Sequence, residues 1–177
     1  ALRVAANLNE GVDLAGNPLK GDPTKLFLGA GANPGAIDLN LEIARLEKKI
    51  EAGANYILTQ PVYEFALFER FYERIEHLDV PIMLGILPLA SFRNAEFLTK
   101  EVPGMQVPDS IRERLRQCPD KESGRQVGIE VAQEALREAL PMIQGTYIMP
   151  PFNRVSSALE VLEVAKHRLE APKEVAK

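Results

Sequence analysis

Four apolar runs rich in β-branched residues divide this chain, and each runs straight into a turn rich in Pro, Gly or polar residues. They are Lys25–Ala32 before Asn33-Pro34-Gly35, Asn55–Thr59 before Gln60-Pro61, Pro81–Leu87 before Pro88, and Gly145–Met149 before Pro150-Pro151-Phe152-Asn153-Arg154. Helical patterns fill the gaps. Strand–loop–helix units in series build a parallel sheet with its chemistry at the strands' C-terminal ends. The expected fold class is therefore α/β, and four units are the count of half an eight-unit (β/α)8 barrel.

The 177 residues suffice for one core and show no repeat, linker or low-complexity tract, so residues 1–177 are expected to form one domain. Residues 1–24 are the exception in character: Ala1–Leu8 reads as the back end of a helix, and Asp13–Thr24 as a loop. With no initiating Met and no capped start, the chain is expected to be a cut product or to have further sequence before Ala1.

A net charge of −4 argues against a nucleic-acid partner. No apolar run approaches the roughly 18 residues of a membrane span. The single cysteine, Cys118, leaves no internal disulfide framework and suits a reducing cytoplasm. His77 and His167 fall late in helical patterns, where a cation suits the dipole, and neither has metal-ligand company.

The periodicity predicts helices over Leu39–Ala52 behind an Asp38 cap, Glu64–Leu78, Ser91–Lys100, Asp109 to about Gln117, Glu122–Leu140 and Ser156–Leu169. The aromatic stripe of Phe68, Phe71 and Tyr72 is expected to pack on the sheet. Between the third and fourth strands lie roughly 55 residues and three helices, a long crossover beside its neighbours.

The turns carry the candidate chemistry. Gln60 places an amide directly after a buried strand, where its donor and acceptor suit a flat heterocycle, or alternatively cap its own loop. Arg154 can grip a carboxylate bidentately, and Phe152 can pack on a ring. Read blandly, Arg154 is solvated at a helix start, but a cation is disfavoured there. The small-residue turn Gly29–Gly35 permits close approach to the backbone, without a Walker lysine or GxGxxG spacing. No Ser/His/Asp set and no close carboxylate pair is visible, nor the strand-end Lys of an aldolase.

Three stretches together resemble the methylenetetrahydrofolate reductase family: Glu51–Tyr63, Gly85–Ser91 with Arg93–Phe97, and Met149–Arg154. The resemblance covers nearly the whole chain and is strongest to the branch fused to homocysteine methyltransferase. It implies a TIM barrel that binds FAD and reduces 5,10-methylenetetrahydrofolate to 5-methyltetrahydrofolate with NAD(P)H or another electron donor. It also implies folate contacts at Gln60, Tyr63, Phe152 and Arg154, and flavin-side positions at Ala32, Asn33 and Lys49. Leu98 stands where relatives carry an aromatic for the folate's aminobenzoate, and Asn33 where many carry Tyr.

The resemblance makes these strands five to eight. The family's catalytic glutamate ends strand one, so no catalytic residue is assigned here, and the chain alone is expected to be inactive with little bound FAD. A bare four-stranded parallel sheet leaves two open edges and one apolar face. An N-terminal half-barrel or a second copy of the chain is expected to cover them. The competing reading is a stand-alone half-barrel that assembles without catalysis.

Overall fold

The computed structural model describes residues 1–167. Its centre is a four-stranded parallel sheet in the order β1 (Gly29–Ala32), β2 (Tyr56–Thr59), β3 (Ile82–Ile86), β4 (Gly145–Ile148). The registers run Gly29↔Tyr56, Leu58↔Met83 and Gly85↔Tyr147. All four predicted strands are present, so every turn singled out above lies at one edge of the sheet.

The helices also form where the pattern placed them, within a residue or two at most ends. They are α1 (Leu2–Asn9), α2 (Leu39–Glu51), α3 (Phe65–Ile75), α4 (Phe92–Glu101), α5 (Asp109–Arg116), α6 (Lys121–Ala139) and α7 (Val155–Leu162). The Asp38 carboxylate caps α2 by accepting from the Leu41 amide, and the Ser91 hydroxyl caps α4 by accepting from the Asn94 amide. Asp120 and Ser123 form a reciprocal capping box that opens α6. Tight 3-10 turns finish α3, α6 and α7. The predicted end of the last helix, at Leu169, lies outside the described residues.

Alternation along each strand sets the layers. Ala30, Ala32, Ile57, Thr59, Ile82, Leu84 and Ile86 are buried on the helix side. There they meet Ile43 and Leu46 of α2, Phe68, Phe71 and Ile75 of α3, and Ile129, Ala132 and Leu136 of α6. Phe68 and Phe71 are wholly buried, which contributes about 2–3 kcal/mol each. The aromatic stripe is therefore packing, as expected.

The long crossover builds a second core of its own: Ala95 and Leu98 of α4 and Ile111 and Leu115 of α5 close on Leu89, Met105, Val107 and Tyr63. Val131 belongs to this cluster while its neighbour Ala132 belongs to the first, so α6 is the wall between the two.

The other sheet face carries Gly29, Gly31, Tyr56, Leu58, Met83, Gly85, Gly145 and Tyr147. Gly31 is exposed, and Tyr56, Leu58, Met83 and Tyr147 are only half-buried. Phe27, 73% exposed, stacks on Tyr56 with ring centroids 5.1 Å apart. Among the described residues, β1 and β4 are each paired on one side only. Among the same residues, no helix is long and apolar enough to cross a membrane.

Candidate functional site

The turns after β1 and β2 frame one cavity of about 360 Å³. Its walls include Asn33, Lys49, Gln60 and, from the far strand, Tyr147. Gln60 is exposed and anchored through its backbone, whose N–H donates to the Ala32 carbonyl at 2.7 Å. Its side-chain amide has no hydrogen bond among the described residues. The loop-capping reading of Gln60 therefore fails, because a capping amide would be occupied.

The neighbouring residues are occupied. The Asn33 side chain accepts from the Gly35 amide at 3.0 Å and donates to the Gly104 carbonyl at 3.3 Å. It is a turn-former that ties the end of β1 to the loop before α5. The Asn33 backbone N–H donates to the Glu42 carboxylate at 3.0 Å. Lys49 reaches from α2 to donate to the Gly31 carbonyl at 2.6 Å, with Glu42 3.9 Å away. Since β1 is an edge strand, Lys49 satisfies a carbonyl that faces no neighbouring strand. Ala32 turns its methyl into the main core, 3% exposed. Lys49 is thus held against the edge strand and is not merely a solvated lysine.

Tyr63 lies apart from this cavity's lining, in the second core beside Leu89 and Leu98. Its hydroxyl is buried without a partner among the described residues. Burial pushes its ionisation far up, so the phenol stays neutral. Leu98 is buried in the same cluster, which leaves it no path to a ligand at the sheet edge.

Phe152 and Arg154 line a different cavity, of about 440 Å³, with Pro88, Leu89, Ser91, Arg93, Lys121, Arg125 and Ile129. The resemblance implies that Gln60 and Arg154 both contact folate. The structure sets them in two cavities of the same sheet edge, one after β1 and β2 and one after β3 and β4. Pro150 and Pro151 stiffen the turn, and Phe152 and Asn153 both adopt left-handed backbone at φ 56°. That strain holds the Phe152 ring 79% exposed at the cavity mouth.

Arg154 is the residue before α7 and makes no capping bond. Of the cations lining this cavity, Arg125 is neutralised: it donates to Glu122 at 2.5 Å and to Glu160 at 2.8 Å. Those bonds, Glu122 first, raise the Arg125 guanidinium's affinity for its proton. The Arg125 hydrogen bond in turn holds the Glu122 carboxyl below the usual range.

Arg93, Lys121 and Tyr147 were not singled out as site residues from the sequence. The signal for the first two was present: each is a cation in the first turn of a helix, the misfit already noticed for Arg154. Tyr147 had no local signal, because its role depends on register with Gly85.

Comparison with known proteins identifies the family. The family model for methylenetetrahydrofolate reductase matches residues 12–166. The chain is 30% identical to methylenetetrahydrofolate reductase 2 of Schizosaccharomyces pombe over 135 residues, 67% of this chain and 21% of that protein. It is 28% identical to a probable methylenetetrahydrofolate reductase (NADH) of Oryza sativa subsp. japonica, over 86% of this chain and 25% of that one. It is 26% identical to the 5,10-methylenetetrahydrofolate reductase of Escherichia coli, over 59% and 36% respectively.

The matched stretch thus spans about a fifth to a third of the length of these relatives. A solved structure shares the fold at TM-score 0.55 and 23% identity, covering 81% of this chain and 53% of that one. It is an uncharacterized protein from Clostridium thermocellum described as binding two copies of 5-methyl-5,6,7,8-tetrahydrofolic acid. With a family match across 12–166 and the turns of all four strands inside it, this chain belongs to the methylenetetrahydrofolate reductase family.

Proposed function

We propose that the chain is the C-terminal, folate-binding part of a flavin-dependent reductase that converts 5,10-methylenetetrahydrofolate to 5-methyltetrahydrofolate. The observation that carries this reading is the Gln60 amide, exposed at a strand end and unspent among the described residues, inside a family match. A primary amide offers donors and an acceptor in one plane, the complement of a pterin edge. The folate bound by the structurally similar Clostridium thermocellum protein supports the ligand class.

In this reading the sheet is the second half of a (β/α)8 barrel. Its uncovered face, with Gly31, Leu58, Met83 and Tyr147, is the barrel interior, and an N-terminal half-barrel pairs with the free edges of β1 and β4. That half supplies the general acid and the electron-donor surface, whether for NAD(P)H or another donor.

FAD fits poorly to what this chain offers. The Asn33 amide is engaged on both sides and the Ala32 methyl faces the core. Together they make a wall, not a cradle. The flavin contacts also fall to the N-terminal half.

Calorimetric titration with 5-methyltetrahydrofolate tests the reading. The Gln60→Ala chain is expected to bind about tenfold more weakly, the cost of leaving a buried pterin edge unpaired. Unchanged affinity removes the pterin role. A chain that forms a stable dimer and binds no folate favours the assembly module instead. Turnover of methylenetetrahydrofolate by this chain alone overturns the placement of the acid elsewhere.

A further inference from the structure

The ladder between β2 and β3 ends early. Its register stops at Leu58↔Met83, whereas β1–β2 continues to Ala32↔Thr59 and β3–β4 to Ile86↔Ile148. Lower in the ladder the Ile57 N–H donates to the Pro81 carbonyl at 2.8 Å. Repeated up the strands, that pattern would bring the Gly85 N–H to the Thr59 carbonyl and the N–H of residue 61 to the Gly85 carbonyl. Residue 61 is proline, which has no N–H to give. Val62 donates to Gly85 in its place at 3.2 Å, so one extra residue is taken in and Gln60-Pro61 arches out of the sheet.

Side chains take over the groups that the ladder releases. The Gly85 N–H donates to the Thr59 hydroxyl at 2.9 Å, and the Thr59 carbonyl accepts from the Tyr147 phenol at 2.6 Å. Thr59 is 1% exposed, so either group left alone would be a buried polar atom without a partner. Desolvation holds the Tyr147 phenol above its usual range, which keeps it a donor. On the other side, the Gln60 N–H is fixed to the Ala32 carbonyl at 2.7 Å. The arch is thus tied to β1, β3 and β4 at once, while the Gln60 side chain stays exposed. Tyr147 lines the same cavity as Gln60, yet its hydroxyl is spent on the backbone beneath the arch.

We propose that Tyr147 and the Thr59 hydroxyl are positioning residues for substrate recognition, holding the β2–β3 ladder open so that Gln60 presents its amide to the pterin. The ligand rests on the folate reading above; the clasp does not. The donor that a regular ladder supplies to the Thr59 carbonyl is the Gly85 N–H. Without the phenol the carbonyl takes that donor, the ladder closes by a step, and the root of Gln60 is drawn toward β3.

The test is a double-variant cycle on the 177-residue chain, read by calorimetric titration with 5-methyltetrahydrofolate. Tyr147→Phe is expected to weaken binding about fivefold alone and to have no further effect in a Gln60→Ala background, because the same contact is lost. The isosteric Thr59→Val behaves likewise, and Thr59→Ser keeps the hydroxyl and the affinity. A ligand-free arm reads the clasp itself. In Tyr147→Phe, amide hydrogen exchange at Gln60 and Val62 quickens about tenfold more than at Ile57, lower on the same strand, whereas a uniform loss of stability would speed all three alike.

Unchanged affinity in Tyr147→Phe where Gln60→Ala loses it, an equal loss in both backgrounds, a Thr59→Ser chain that binds as weakly as Thr59→Val, or exchange that quickens uniformly overturns the proposal. Failure of the folate reading looks different: Gln60→Ala then leaves affinity unchanged while exchange at the arch still responds to Tyr147→Phe, which refutes the ligand and keeps the clasp.

Discussion

The phenol of Tyr147 on β4 donates to the backbone carbonyl of Thr59 on β2, 2.6 Å away, across the strand between them. The crossing requires Gly85, the register partner of Tyr147 on β3. A Cβ at Gly85 would lie 2.4 Å from the Thr59 carbonyl oxygen and 2.7 Å from the Tyr147 hydroxyl. The Thr59 hydroxyl in turn accepts from the Gly85 N–H at 2.9 Å. Because Thr59 immediately precedes Gln60, this clasp fixes the root of the candidate pterin contact.

Gly85→Ala is therefore expected to cost about 2–4 kcal/mol, since the colliding atom is backbone in a packed sheet and cannot step aside. Tyr147→Phe removes only the hydrogen bond and is expected to cost about 1 kcal/mol. Urea denaturation of the two variants measures the contrast. Equal costs would mean that the glycine is not there to admit the tyrosine.

A pair of glycines separates close packing from helix propensity. On α6, a Cβ at Gly128 would come within 1.8 Å of the Leu89 carbonyl oxygen, whereas one at Gly124 meets nothing nearer than 3.7 Å. Gly128→Ala is expected to destabilise by more than about 3 kcal/mol and to open the loop that floors the larger cavity. Gly124→Ala is expected to stabilise by up to about 1 kcal/mol, the propensity difference. Thermal melts of both variants check the opposite signs.

Much of this molecule could be read from its residues. Turn chemistry after each apolar run gave four strands and one active edge, and caps such as Asp38 and Ser91 marked helix starts that the structure keeps. What stayed hidden depends on contacts between elements remote in sequence. Asn33 gives no local sign that its amide is committed to Gly104, nor Lys49 that it holds the carbonyl of an edge strand. Tyr63 follows the Gln60 turn closely enough to suggest a shared site, yet α4 and α5 bury it in a second core. The division of Gln60 and Arg154 between two cavities likewise follows from the crossover packing.

Acid stability should report the junction between α4 and α5. Glu96 pairs with Lys100 on its own helix and with Arg112 on the next. The Lys100 hydrogen bond, then that of Arg112, holds its carboxyl below the usual range. A folded-state value below the unfolded one contributes stability that is present above the ordinary carboxylate value and lost as pH falls through the folded one. The thermal midpoint is therefore expected to drop as pH falls below about 4.5. Glu96→Gln should flatten that drop. An unchanged pH profile in the variant would place the acid-sensitive contacts elsewhere; Asp120, held low first by the Ser123 backbone and then by its hydroxyl, is the next position to neutralise.

Phe152 sets stability against binding. Its left-handed backbone costs a residue with a Cβ about 1 kcal/mol, and its ring, 79% exposed, recovers little by packing within the chain. Glycine takes that conformation without the steric penalty. Phe152→Gly is expected to raise the thermal midpoint by about 2–3 °C, somewhat offset by the looser unfolded chain. The same change removes the aromatic wall beside Arg154, so binding of 5-methyltetrahydrofolate should weaken about tenfold. Melting and titration of one variant read both effects. A midpoint that falls would show that the ring is held by packing, and affinity that holds would show that the strained turn serves the fold alone.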